Sequence, residues 1–166
     1  MKTTIEPSAF ELRFSPSSQL ITTVRRFVLS FYTQVLGDHE ISSRLAVATH
    51  ELLENAVAHG RRDEATLAVT VILGEEAFTV EVAIRNESDP DDIREAVRRV
   101  ESLRGADDVF IHYQDLMVEA AGRTQGSGLG LARIAAESGM ELQVKAEGEV
   151  IEIRARASYP LPSRAS

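Results

Sequence analysis

ELLENAVAHG, residues 51–60, is the stretch on which the reading of this chain turns. Residues four apart on a helix lie one above the other, so Glu51, Asn55 and His59 form one polar stripe. Beside it runs an apolar stripe of Leu45, Ala48, Leu52 and Ala56. A helix with this pattern edges a core and can close one wall of a ligand cleft. A carboxylate such as Glu51 can take a proton from an attacking hydroxyl, and a positioned base contributes roughly a hundred- to ten-thousand-fold. The amide oxygen of Asn55 is a hard ligand of the kind Mg²⁺ prefers, an ion held by few protein groups plus phosphates. Ordinary polar residues on a half-exposed helix give the same pattern, so the stripe alone leaves both readings open. His50-Glu51-Leu52-Leu53-Glu54 also approaches the zinc-protease signature, but that motif needs a second histidine where Glu54 stands.

A second motif, GSGLGL at residues 126–131, lies in the second half of the chain. Its glycines let a backbone approach a ligand closely, and it leads into a helix whose free N–H groups and dipole favour an anion. Phosphates fit that description; a flexible loop ahead of a helix is the plainer alternative. A dinucleotide-binding fold needs its third glycine where Leu131 stands and places the motif after an early strand. No GxxxxGK[ST] occurs.

Around these motifs the chain alternates between helical and strand patterns. Phe10, Leu12 and Phe14 alternate with charged residues, as a half-buried strand does. Ser15-Pro16 signals a helix start, and Leu20, Val24, Phe27, Val28, Phe31 and Val35 keep helical spacing to Gly37. A second helix is predicted from about Glu40 to His59, ended by Gly60. Leu67, Val69 and Val71, then Phe78, Val80, Val82 and Ile84, predict an antiparallel hairpin around Gly74-Glu75. The turn-rich stretch 86–90 precedes two further helices, Asp91 to Arg104 and Asp108 to Ala121. A helix from GSGLGL to Ser138 and a last hairpin around Glu147-Gly148 complete the pattern, with a loose tail expected at 159–166.

The 166 residues are expected to form a single domain with a substantial core, 43% of them hydrophobic. Cysteine is absent, which excludes disulfides and thiolate chemistry. No run of about eighteen apolar residues and no signal-peptide pattern occurs, so a cytoplasmic protein without a membrane partner is expected. A formal net charge of −8 argues against a nucleic-acid binder, whose affinity rests on Lys and Arg.

The order of the paired motifs and hairpins resembles the Bergerat ATP-binding fold shared by DNA gyrase, MutL and the histidine kinases. The short single-domain form is similar to the bacterial anti-sigma-factor serine kinases and their partner-switching relatives. Pro16 with Val24-Arg25-Arg26, Leu45-Ala46-Val47 and the whole of 51–60 carry the likeness, which spans roughly residues 10–157 with a lid at about 90–125. It implies an α+β two-layer sandwich, a mixed, mostly antiparallel sheet with helices on one face. It also implies ATP and Mg²⁺ as cofactors, Glu51 as general base and Asn55 as the Mg²⁺ ligand. Gly126, Gly128 and Gly130 would cradle the phosphates, with Ser127 and Leu129 in the same turn. His59 would lie near the nucleotide, or be a hydrogen-bonded histidine at a helix end. Arg123 would reach a phosphate or a partner, or be a solvated lid arginine.

The chain departs from that family at one place. Where the family has Asp-x-Gly-x-Gly, with the aspartate accepting from the adenine amino group, this chain has Arg85-Asn86-Glu87-Ser88-Asp89-Pro90. Asn86 keeps a neutral acceptor, and Asn86→Asp would on that ground strengthen binding by about 1 kcal/mol. Two functions follow from the resemblance. One is a homodimeric kinase that binds a sigma-like factor or a serine-bearing antagonist and phosphorylates a serine on the small antagonist protein. The other is a non-catalytic module that sequesters a regulatory partner. The catalytic domain of a histidine kinase, which would need a phospho-accepting helix upstream, is not expected.

Overall fold

The computed structural model describes residues 7–122 and 128–161, with the side chains of residues 62 and 63 left aside. Strand β1 (Ser8–Phe14) leads to helices α1 (Ser18–Leu36) and α2 (His39–His59), then strands β2 (Gly60–Leu73) and β3 (Ala77–Ser88). Helices α3 (Pro90–Arg104), α4 (Val109–Ala120) and α5 (Gly130–Ser138) precede strands β4 (Glu141–Glu147) and β5 (Val150–Pro160). The five strands form one sheet in the order β1-β2-β3-β5-β4, and all four pairings are antiparallel.

Alternation along the strands builds the two layers. Leu67, Val69 and Val71 of β2, Phe78, Val80, Val82 and Ile84 of β3, and Ile151 and Ile153 of β5 are buried on one face. Their neighbours Glu11, Arg13 and Arg85 are exposed on the other. The helices supply the second layer. Ile21, Val24 and Val28 of α1 and Leu45, Ala48, Leu52 and Ala56 of α2 are buried, so the apolar stripe of α2 lies where its spacing puts it. Deep in this layer the Tyr32 hydroxyl shares a 3.0 Å hydrogen bond with Thr49, whose own hydroxyl donates to the Leu45 carbonyl. Burial raises the Tyr32 hydroxyl well above the usual tyrosine range.

The helix ends follow local chemistry. Ser17, two residues beyond the expected start, caps α1 by accepting from the Leu20 amide, and Gly37 closes it at φ 67°. Asp38 caps α2 by accepting from the Ile41 amide. At its other end α2 passes into β2 without a loop. A Cβ at Gly60 would run into the Ala56 carbonyl oxygen, so the turn needs a glycine. Strand β2 therefore begins seven residues before the first apolar residue of the predicted hairpin. At the far end Tyr159 and Pro160 belong to β5 rather than to a loose tail: the Tyr159 hydroxyl donates to the Ser138 carbonyl at 2.6 Å. Among the described residues no helix is long and apolar enough to cross a membrane.

Candidate functional site

The inward alternation of β3 does not stop at Ile84. It continues through Asn86 and Ser88, buried polar residues at the end of the strand, beside the last turn of α2. There the Asn86 amide nitrogen donates to the Glu87 carbonyl and the Ser88 hydroxyl, and the Ser88 hydroxyl donates to the His59 carbonyl at 2.6 Å. Asn86 thus faces the same space as Asn55 and His59, with its carbonyl oxygen as the remaining acceptor. The local donors also explain why an amide stands here. An aspartate would set an oxygen against the Glu87 carbonyl, so the gain expected for Asn86→Asp is opposed by the loss of two hydrogen bonds.

At the other end of the site, α5 begins beside α2. A Cβ at Gly130 would lie 2.7 Å from Oε2 of Glu51, which places the candidate base against the glycine turn. Glu51 is one of the more enclosed charges of the chain, its side chain 15% exposed, and Arg133 donates to its Oε1 at 2.6 Å. Arg133, one turn into α5, also reaches the Tyr113 hydroxyl at 3.3 Å. The Tyr113 contact first, and then Glu51, hold the Arg133 guanidinium above its ordinary value against the opposing effect of burial. Gly128 and Leu129 complete the described part of the turn, Gly128 at a positive φ of 61°. Arg123, Gly126 and Ser127 lie outside the described residues.

Helix α3 forms the outer wall. Its Asp92 carboxylate lies 3.1 Å from Nδ1 of His59, so that histidine is a hydrogen-bonded helix-end residue that also lines the pocket. Asp92, Glu95, Ala96 and Arg99, one face of α3, close the space over Asn55 and Asn86 to about 20 Å³. That is room for about one water molecule. A second cavity of about 220 Å³ opens between α3, α4 and α5, and Glu95, Arg99 and Leu131 line both spaces. A nucleotide needs a pocket of about 300 Å³ or more. The residues suit one chemically: an amide acceptor, a glycine turn ahead of a helix, an amide and a carboxylate on one face. The space suits one only with α3 moved outward.

Sequence reasoning placed Glu51, Asn55, His59, Asn86, Gly128, Leu129 and Gly130, and the fold brings all seven to one end of the sheet. It missed Arg133, Asp92, Glu95 and Arg99. The spacing of Asp92, Glu95, Ala96 and Arg99 was the available signal, a polar face on a helix that directly follows Asn86. Glu95 is the most perturbed carboxylate of that face. Hydrogen bonds from Arg98, then from Arg99, lower it from 4.5 to about 2. Because the folded value is the depressed one, its contribution to stability is present above pH 4.5 and lost as the pH falls toward 2. The stability difference between the natural protein and Glu95→Gln should therefore shrink over that window, as urea melts at a series of pH values would record.

A two-layer fold with a carboxylate, two amides and a glycine turn at one end of its sheet defines a nucleotide-pocket domain. The chain belongs to the histidine kinase-like ATPase domain family, whose match covers residues 14–155. Among solved structures it is similar to the SiaB-SiaC complex from Pseudomonas aeruginosa, at 17% identity and a TM-score of 0.58 over 90% of this chain and 89% of that one. That likeness is one of fold. No curated protein matches the chain.

Proposed function

We propose that the chain is an ATP-dependent protein serine kinase of the anti-sigma type, which phosphorylates a serine on a small antagonist protein in a partner-switching system. The observation that carries this reading is the placement of Glu51 against Gly130, one turn of α2 from Asn55. In this reading Asn86 accepts from the adenine amino group, and Gly128 and Gly130 hold the phosphates together with Gly126 and Ser127 of the same sequence motif. Asn55 gives its amide oxygen to Mg²⁺. Bound Mg²⁺-ATP supplies the transferable phosphoryl group. Glu51 takes the proton of the attacking serine hydroxyl, for which its carboxylate must be released from Arg133 or share it. A protein partner agrees with α4, which turns Phe110, Ile111, Met117 and Val118 outward as a large apolar surface.

The closed pocket favours a second reading, a non-catalytic module that binds its partner through the same fold. In it α3 stays over Asn55 and Asn86, and the Glu51–Arg133 pair is a structural tie.

Calorimetry separates the two. The kinase reading expects measurable Mg²⁺-ATP binding by the natural protein. It also expects Asn55→Ala to bind about tenfold more weakly with Mg²⁺, the size of one lost hydrogen bond to a charged group, and unchanged without it. Absence of binding with and without Mg²⁺ would sink the kinase and leave the module.

A further inference from the structure

We propose that Arg99 of α3 is the phosphate-binding cation of this site, presenting the forked end of its guanidinium to the nucleotide at Gly128. The proposal rests on the nucleotide reading above and adds to it the residue that neutralises the ligand. Three observations support it.

The first is position. A Cβ at Gly128 would lie 2.7 Å from Cζ and 2.8 Å from Nη2 of Arg99, so the guanidinium rests on the backbone of the glycine turn and any side chain at 128 would displace it. The second is orientation. Glu95 accepts from Nε of Arg99 at 2.7 Å, which fixes the guanidinium from behind. Among the described residues nothing accepts from Nη1 or Nη2, the pair of donors whose planar geometry matches two phosphate oxygens. The third is charge. Glu51, Asp92 and Glu95 surround the site of a chain whose net charge is −8, an unfavourable setting for a polyphosphate. The neighbouring arginines are engaged elsewhere: Arg98 makes two bonds to Glu95, and Arg133 is tied to Glu51. Among the described residues that line the space over Asn55, Arg99 is the only lysine or arginine.

The consequence is that α3 both covers the site and contributes to it. When it moves to admit a nucleotide, its long arginine stem can keep the charged end near Gly128 while the backbone withdraws.

The test is calorimetric titration of the natural protein, Arg99→Gln and Arg99→Lys with Mg²⁺-ATP and with adenosine, each variant compared by far-ultraviolet circular dichroism. Arg99→Gln should bind Mg²⁺-ATP about ten- to a hundredfold more weakly and adenosine as the natural protein does. Arg99→Lys, which keeps the charge without the fork, should fall between. If Arg99 were only part of a plug, its removal would leave Mg²⁺-ATP affinity unchanged or raise it, and either result overturns the assignment while the nucleotide site stands. If the natural protein binds neither ligand, the nucleotide reading itself fails and the assignment falls with it.

Discussion

Glu51→Gln is expected to keep Mg²⁺-ATP affinity within a few-fold and to lower phosphate transfer by roughly a hundred- to ten-thousand-fold, the contribution of a positioned base. The structure makes this substitution a clean probe. Glutamine has the shape of glutamate and retains an oxygen that can accept from Arg133, so the 2.6 Å contact across α2 and α5 survives as a weaker, charge-to-neutral bond. Gly130, packed against the other carboxylate oxygen, meets an amide nitrogen of similar size. What is lost is the negative charge and, with it, the capacity to accept a proton. Single-turnover transfer to a serine-bearing acceptor, set beside calorimetric affinity, separates binding from chemistry. Transfer at the natural rate would take Glu51 out of the mechanism and leave its ion pair with Arg133 as a tie between helices.

Leu52→Ala, one residue further along α2, should have the largest effect on stability. Leu52 is fully buried, on the helix face toward the sheet. Deleting a buried leucine costs about 2–5 kcal/mol, the transfer of the lost methyl groups plus the cavity left behind. That is a large fraction of the roughly 5–15 kcal/mol by which domains are stable. For a chain of this length each kcal/mol lowers the melting temperature by about 2–4 °C. The loss should also reach function, because the same two turns of α2 carry Leu52 and Ala56 inward and Glu51 and Asn55 to the site. A urea melt showing a loss below about 1 kcal/mol would mean that the surrounding side chains collapse into the space, and that α2 is held mainly by its neighbours.

The sequence by itself determined the elements and named most of the residues that meet at the candidate site. The helical period of α2 is legible because its buried residues, Leu45, Ala48, Leu52 and Ala56, are all apolar, and the polar stripe beside them follows from the same spacing. The two hairpins are legible because their inward residues are mostly Val, Ile, Leu and Phe. Where that contrast fails, so does the reading. Strand β2 begins at Gly60, but Arg61 to Glu64 carry no apolar alternation. Strand β3 continues inward through Asn86 and Ser88, whose polar side chains disguise the same period as a turn. What only the tertiary structure decided is which charges meet. Glu51 and Arg133 stand 82 positions apart, and no local spacing relates them. The position of α3 over Asn55 and Asn86, with Arg99 against Gly128, depends on how a helix leaving β3 packs on α5. Local periodicity follows from backbone geometry that every residue shares, whereas a contact between distant charges exists only once the core has set the helices against one another.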